Sequence, residues 1–162
     1  MDIRKKDRMS KRERIDDFLS QKRLALVGVS RNGKDFTRVL FREFCRRGYD
    51  MVPVNPSLSE VEGRSCYHRI QDVTPPVDGA LLMTSPAVTE QVVRDCAEAG
   101  VGRVWMYRAA GQGAVSPSAI AFCEAKNIGV VPGECPYMFF HDAGFIHRAH
   151  GLIRQLTGTL PK

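Results

Sequence analysis

Residues 24–40 read LALVGVSRNGKDFTRVL. The stretch starts as an unbroken apolar run of strand length, breaks at Gly28, and resumes as an amphipathic helical pattern. Gly28 and Gly33 bracket Val29, Ser30, Arg31 and Asn32, so the break is spelled G-V-S-R-N-G rather than G-x-G-x-x-G. A strand-to-helix turn aims the free N–H groups of the helix start at an anion, and a glycine lets a phosphate approach without meeting a Cβ. Ser30 adds a hydroxyl, and Arg31, Lys34 and Arg38 add three cations. We read an anion site here; a plain tight turn is the alternative.

The pattern outward from this stretch alternates. Upstream, Ser10–Gln21 reads as a short helix with a Ser10/Glu13 capping box and Ile15, Phe18 and Leu19 on one face. Downstream, Asp35–Tyr49 reads as a helix with a wide apolar face of Phe36, Val39, Leu40, Phe41, Phe44 and Cys45, stopped by Gly48. Met51–Val54, Gly79–Thr84, Arg103–Tyr107 and Ile128–Gly133 read as further strands. Between the later ones lie two helices opened by Ser-Pro, the first with Val88, Val92, Val93, Cys96 and Ala97 as its expected buried stripe. Ser57–Val77 reads as loop with a weak helical turn, and the segment after Ala143 as a last helix. Apolar strands alternating with helices predict an α/β fold: a Rossmann-like, doubly wound parallel sheet of about five strands, with helices on both faces. The expected organisation is a basic N-terminal segment with a short helix (1–21), the Rossmann-like domain (22–140) and a C-terminal helix packed on it (141–162).

The chain has 162 residues, 43% hydrophobic and 26% charged, an ordinary globular composition. No apolar run approaches the ~20 residues that cross a bilayer, and the basic N-terminus has no apolar core of the kind a secretory signal carries. The net charge of +6 is uneven: residues 1–14 hold seven Lys/Arg against three Asp/Glu, and the other 148 residues hold 17 against 15. A nearly balanced body argues against a nucleic-acid face, although the basic tail would suit an acidic partner. Five cysteines, an odd number without a C-x-x-C pair, suggest buried thiols in a reduced, cytoplasmic protein.

Ligands of such sheets sit beyond the carboxyl ends of the strands. A nicotinamide-dinucleotide fold places an acid at the end of its second strand to bind the ribose 2′-hydroxyl. Here that stretch reads PVNPS, with Asn55 in place of the acid. An unmodified NAD ribose is thereby disfavoured, and a nucleotide with extra phosphate charge is not repelled. Thr84, Ser85 and Pro86 follow the third strand, where Ser85 serves either a ligand or only the helix cap. Arg108 follows the fourth and meets either a second charge or only solvent.

The stretch VGVSRNGKDFTRVLFREFCRRGYDMVPVNPSLSEVEGRSCYHRIQDV resembles the stand-alone CoA-binding domain family, itself similar to the nucleotide-binding domain of the succinyl-CoA synthetase α subunit. The markers are G-x-S, the helix end R-G-Y, then V-P-V-N-P and E-V-x-G-x-x-C-Y. PPVDGALLMTSPA and RVWMY continue the likeness to about residue 136. The resemblance implies coenzyme A or an acyl-CoA as ligand, a molecule with a pyrophosphate and a ribose 3′-phosphate. It implies that Gly28, Val29, Ser30 and Arg31 hold phosphates, with Lys34, Phe36, Thr37 and Arg38 beside them. Val54, Asn55 and Pro56 would line the adenosine end, and Thr84, Ser85, Pro86 and Val88 would flank the pyrophosphate or pantetheine. The chain departs from the relatives' W-x-Q-x-G after strand four, having Trp105-Met106-Tyr107-Arg108 instead.

PGECPYMFF, at 132–140, resembles the loop near the thiol end of CoA in the synthetase subunit, which would bring Cys135 near a thioester. A small residue in a tight turn is its other reading. Cys135, His141, His147 and His150 match no metal-ligand spacing, so no metal is assigned. Synthetase activity needs a second domain with a phosphorylated histidine and a partner subunit. A CoA-binding or sensing module without catalytic residues is therefore expected, with a protein partner or a second copy left open. The alternatives are an acyl-CoA-handling or ligase-related protein using Cys135, and an NAD(P)-responsive regulator.

Overall fold

The computed structural model describes residues 9–140. Its helices are α1 (Lys11–Leu19), α2 (Phe36–Arg46), α3 (Pro86–Glu98) and α4 (Pro117–Ala125). The strands are β1 (Arg23–Val27), β2 (Asp50–Val54), β3 (Glu60–Val61), β4 (Arg64–Ser65), β5 (Gly79–Leu82), β6 (Arg103–Met106) and β7 (Gly129–Pro132). Short 3-10 turns occupy Ile70–Asp72 and Pro136–Phe139. The predicted C-terminal helix, with His141, Asp142, His147 and His150, and the basic residues 1–8 lie outside the described residues.

Five strands pair in parallel in the order β2-β1-β5-β6-β7. The chain steps from β1 outward to β2, then returns past β1 to β5, so the winding reverses between β1 and β5. At such a reversal the segments leaving two neighbouring strands diverge, and a crevice opens at their carboxyl ends. Val27 pairs with both Val54 and Leu82, which brings the ends of β1, β2 and β5 level with one another.

Successive strand residues point to opposite faces, and both faces are covered. Leu24, Leu26, Met51, Leu81, Trp105 and Val131 join Ile15 and Phe18 of α1 and Leu40, Phe41 and Phe44 of α2. Ala25, Val27, Val52, Ala80, Leu82, Val104 and Val130 join α3 and α4 on the other face. The doubly wound, Rossmann-like sheet expected from the alternation is the fold observed.

The capping box of α1 closes at both ends: Glu13 N–H donates to Ser10 Oγ at 3.2 Å, and Ser10 N–H to Glu13 Oε2 at 2.7 Å. Phe18 then meets the Trp105 ring edge-on, centroids 5.4 Å apart, directly over Gly79, where a Cβ would come within 2.9 Å of the Phe18 ring. Arg103 reaches Asp17 at 2.7 Å and Lys11 reaches the buried Glu134 at 2.9 Å, tying α1 to β6 and to the turn after β7.

Two details differ from the sequence reading. Val88 is 48% exposed rather than part of the buried stripe, and Thr89 takes its place at 0%. Val88 lies in the first turn of α3, past the sheet rim, while the Thr89 hydroxyl is satisfied by Thr84 Oγ1 at 2.7 Å. The stretch read as loop contains the β3–β4 hairpin, whose two turn residues, Glu62 and Gly63, both have positive φ, as a type I′ turn demands.

Truncation of Phe18 to Ala removes a wholly buried ring from this layer. Phe18→Ala is expected to lower stability by about 3–5 kcal/mol, read from a lower urea midpoint at unchanged slope. A loss below ~1 kcal/mol would mean that α1 is an appendage rather than part of the core.

Candidate functional site

Gly28 stands at the reversal point. Its N–H extends the β2 ladder by donating to Val54 O at 3.1 Å, and Met83 N–H extends the β5 ladder by donating to Val27 O at 2.9 Å. The chain then turns with φ +94° directly against Met83, where a Cβ would lie 2.5 Å from the carbonyl oxygen. Gly28 is thus required by the protein itself. Gly33 is different: its φ is ordinary for an L-residue, and nothing lies within 4 Å of where its Cβ would be.

Local side-chain bonds hold the loop from Ser30 to Thr37. Ser30 N–H donates to Thr37 Oγ1 at 2.8 Å, Asn32 N–H to Ser30 Oγ at 3.0 Å and Lys34 N–H to Asn32 Oδ1 at 3.0 Å. Asp35 caps α2 by accepting from Thr37 N–H at 2.8 Å, which removes one helix-start donor and adds a negative charge. Among the described residues the N–H groups of Arg31, Gly33 and Phe36 have no acceptor, and Arg31 and Lys34 form no ion pair. The Ser30 and Thr37 hydroxyls each accept from the backbone and keep their own proton to donate. The loop therefore carries several donors that find no acceptor among the described residues.

Arg38 behaves unlike the other two cations. It pairs with Glu62 at 2.9 Å and donates to the carbonyl of Ser30 at 3.2 Å, so it braces the loop from behind. Arg42 joins the same Glu62 carboxylate at 2.7 Å. Burial pushes the Glu62 carboxyl up, but the hydrogen bonds from Arg42 and Arg38 outweigh it and hold the group below its usual range. Asn55 is also a brace: Nδ2 donates to Val29 O at 2.8 Å and Oδ1 accepts from Ser57 N–H at 2.7 Å. Val29 itself is fully buried.

A cavity of about 290 Å3 opens at the reversal point. Of the residues singled out from sequence, Gly28, Val54, Pro56, Thr84 and Val88 line it. Ser85 and Pro86 start α3 beside it, Ser85 without a side-chain cap bond. The wall also contains His68, Arg69, Ile70, Gln91, Val92 and Asp95, none of which sequence reasoning picked. Gln91 and Asp95 fall on the helix face of Val88 and Val92, a spacing visible in sequence. His68 and Arg69 gave no such signal; they arrive because Tyr67 pairs with the outer edge of β2, at Val54.

Two predicted residues lie elsewhere. Arg108 is exposed, and its guanidinium lies against Gly133, where a Cβ would be 3.0 Å from Nη2. Phe36, 36% exposed, belongs to an aromatic patch with Tyr107 and Tyr137, ring centroids 5.8 and 6.0 Å away. Cys135 lies behind this patch, 2% exposed. Burial pushes its thiol up, against the opposing hydrogen bonds from Tyr137 N–H and the Tyr107 hydroxyl. A thiol held protonated is a poor nucleophile at neutral pH.

The two glycines differ in what the fold requires of them. Gly28→Ala is expected to cost more than ~2 kcal/mol, from strain at positive φ and the clash with Met83. Gly33→Ala is expected to leave stability unchanged or raise it by up to ~1 kcal/mol. Urea unfolding of the two variants checks both, and equal losses would contradict the geometry.

Burial also raises the thiols of Cys45, Cys66, Cys96 and Cys123, the last to about 12. The unfolded chain then loses protons first as pH climbs past the ordinary thiol value of ~8.5, while the native chain keeps them. Stability is expected to be intact below that value and to fall steadily as pH rises from there toward about 12, where Cys123 titrates in the native chain. A urea midpoint that stays flat over this window would contradict it.

Comparison with known proteins agrees with this geometry. A trans-feruloyl-CoA synthase from an unknown prokaryotic organism is 28% identical over 105 residues, 64% of this chain and 15% of that protein. The α subunit of an ADP-forming acetate–CoA ligase II from Pyrococcus furiosus is 26% identical over 88 residues, 54% of this chain and 19% of that protein. The match thus spans less than a fifth of either relative. A solved structure of a hypothetical protein from Pyrococcus horikoshii superposes with a TM-score of 0.73 at 22% identity, covering 90% of this chain and 94% of that one, and shares the fold. The model of the CoA binding domain matches residues 22–141. With the reversal-point cavity and the donor-rich loop beside it, this places the chain in the CoA binding domain family.

Proposed function

We propose that the chain binds coenzyme A or an acyl-CoA at the carboxyl edge between β1 and β5, as a cytoplasmic binding or sensing module. The observation that carries this reading is the cavity's composition next to the 30–37 loop. Val54, Pro56, Ile70, Val88 and Val92 form apolar walls suited to a base, and the loop amides, the Ser30 and Thr37 hydroxyls, Arg31 and Lys34 suit phosphate. The end of β2 contributes no carboxylate to the cavity, since Asn55 is turned to Val29. At about 290 Å3 the cavity sits at the lower bound of ordinary ligand pockets, ~300–1,000 Å3, and takes only part of CoA. The base and ribose fit inside, and the pantetheine arm runs out along the strand ends.

A ligase-related role is the second reading, favoured by the two curated relatives, which make CoA thioesters by name. In that case the chain holds CoA for chemistry completed elsewhere, and the protonated Cys135 is not the nucleophile.

Calorimetry with CoA, dephospho-CoA and NAD tests the binding reading. CoA is expected to bind at least about tenfold more tightly than either, as removal of a charge-assisted phosphate contact implies. Gly33→Ala is expected to weaken CoA while leaving the fold intact. Equal affinity for all three, or none, would refute the reading. Thioester turnover that disappears in Cys135→Ser would replace it with an enzymatic one.

A further inference from the structure

α3 presents Val88, Gln91, Val92 and Asp95 to the cavity along one face. Val88 and Val92 share the apolar part of the lining with Pro56 and Ile70. Gln91 and Asp95 are polar and bonded to each other, Gln91 Nε2 donating to Asp95 Oδ1 at 3.0 Å. A carboxylate only accepts, so the amide must turn its NH2 group toward Asp95. Among the described residues these two side chains have no other hydrogen-bond partner. What remains to them is an ordered pair: an acceptor on Asp95 beside the second N–H of Gln91 Nε2. Arg69, a cation, lines the same cavity. Its guanidinium is bonded to Asp72 and further held in its charged form by the fields of Glu98 and Asp95.

We propose that the Gln91–Asp95 pair reads the base of the bound nucleotide and selects adenine; this rests on the CoA reading above. On its N6/N7 edge adenine shows its exocyclic amino donor beside a ring-nitrogen acceptor. That is the complement of the pair: the amino group donates to Asp95, and Gln91 donates to the ring nitrogen. Hypoxanthine, in which a carbonyl replaces the amino group, turns an acceptor toward the carboxylate. The register of the base is set by the phosphates at the loop, so it cannot slide to repair the mismatch.

The test is titration of the full chain with CoA and with its deaminated hypoxanthine analogue. The native chain is expected to prefer CoA by about tenfold, the worth of one lost hydrogen bond near a charge. Asp95→Asn supplies an NH2 group that meets the carbonyl, and is expected to bring the two ligands within about twofold of each other. Gln91→Leu is a second variant, expected to weaken CoA and the analogue by similar factors, because N7 is an acceptor in both bases. Equal affinity of the native chain for both ligands, or a tenfold preference that survives Asp95→Asn, overturns base reading and leaves CoA binding standing. Absence of binding by either ligand overturns the CoA reading and this one with it.

Discussion

The ends of β1 and β5 come together closer than any side chain allows. Gly28 turns directly against the Met83 carbonyl, and there is no room there even for a methyl group. The turn is also locked on its other side, because the Gly28 N–H is spent on Val54 O. The register of three strands thus converges on one residue. At Gly28 the crevice is therefore bounded by backbone rather than by a side chain. The two helices that start here, α2 and α3, bring their N-terminal ends to the same rim.

Around this point most of the charge and amide chemistry serves to hold the loop still. Glu62 at the tip of the β3–β4 hairpin collects Arg38 and Arg42 from α2, and Arg38 passes the restraint to the carbonyl of Ser30. Asn55 fastens the loop to the end of β2 from the other side. Such bracing prepays the ordering of a binding loop, which otherwise subtracts from affinity. It also explains the division among the cations: Arg38 is structural, and Arg31 and Lys34 stand outward beside amides that have no partner among the described residues.

The same edge continues past β6 and β7 in a different character. Phe36, Tyr107 and Tyr137 form a half-exposed aromatic surface with the Cys135 thiol behind it. Burial raises that thiol, which leaves less of it as thiolate at neutral pH. The edge thereby runs from a polar, donor-rich end at the reversal point to an apolar end near β7. An adenine nucleotide with a long, less polar arm has the same polarity along its length.

Much of this was legible in the residues alone. Alternating apolar strands and amphipathic helices determined the doubly wound sheet, because periodicity is a local property that burial on both faces imposes on each segment separately. The break at Gly28, the cap at Ser10 and the Ser-Pro helix start at Ser116 followed from the same local chemistry. The partners did not. The resemblance implies Asn55 and Arg38 as ligand contacts, and only the fold shows the bonds they make to Val29 and Glu62. Val88 read as core because a helix stripe does not reveal where the sheet beneath it ends. His68 and Arg69 reach the cavity only because Tyr67 pairs with β2, and Gln91 and Asp95 gain a role only once a crevice lies in front of them. What the chain composes locally, its elements and their turns, is written in spacing; which polar group a side chain finds across the fold depends on strand order, a long-range property that no single segment carries.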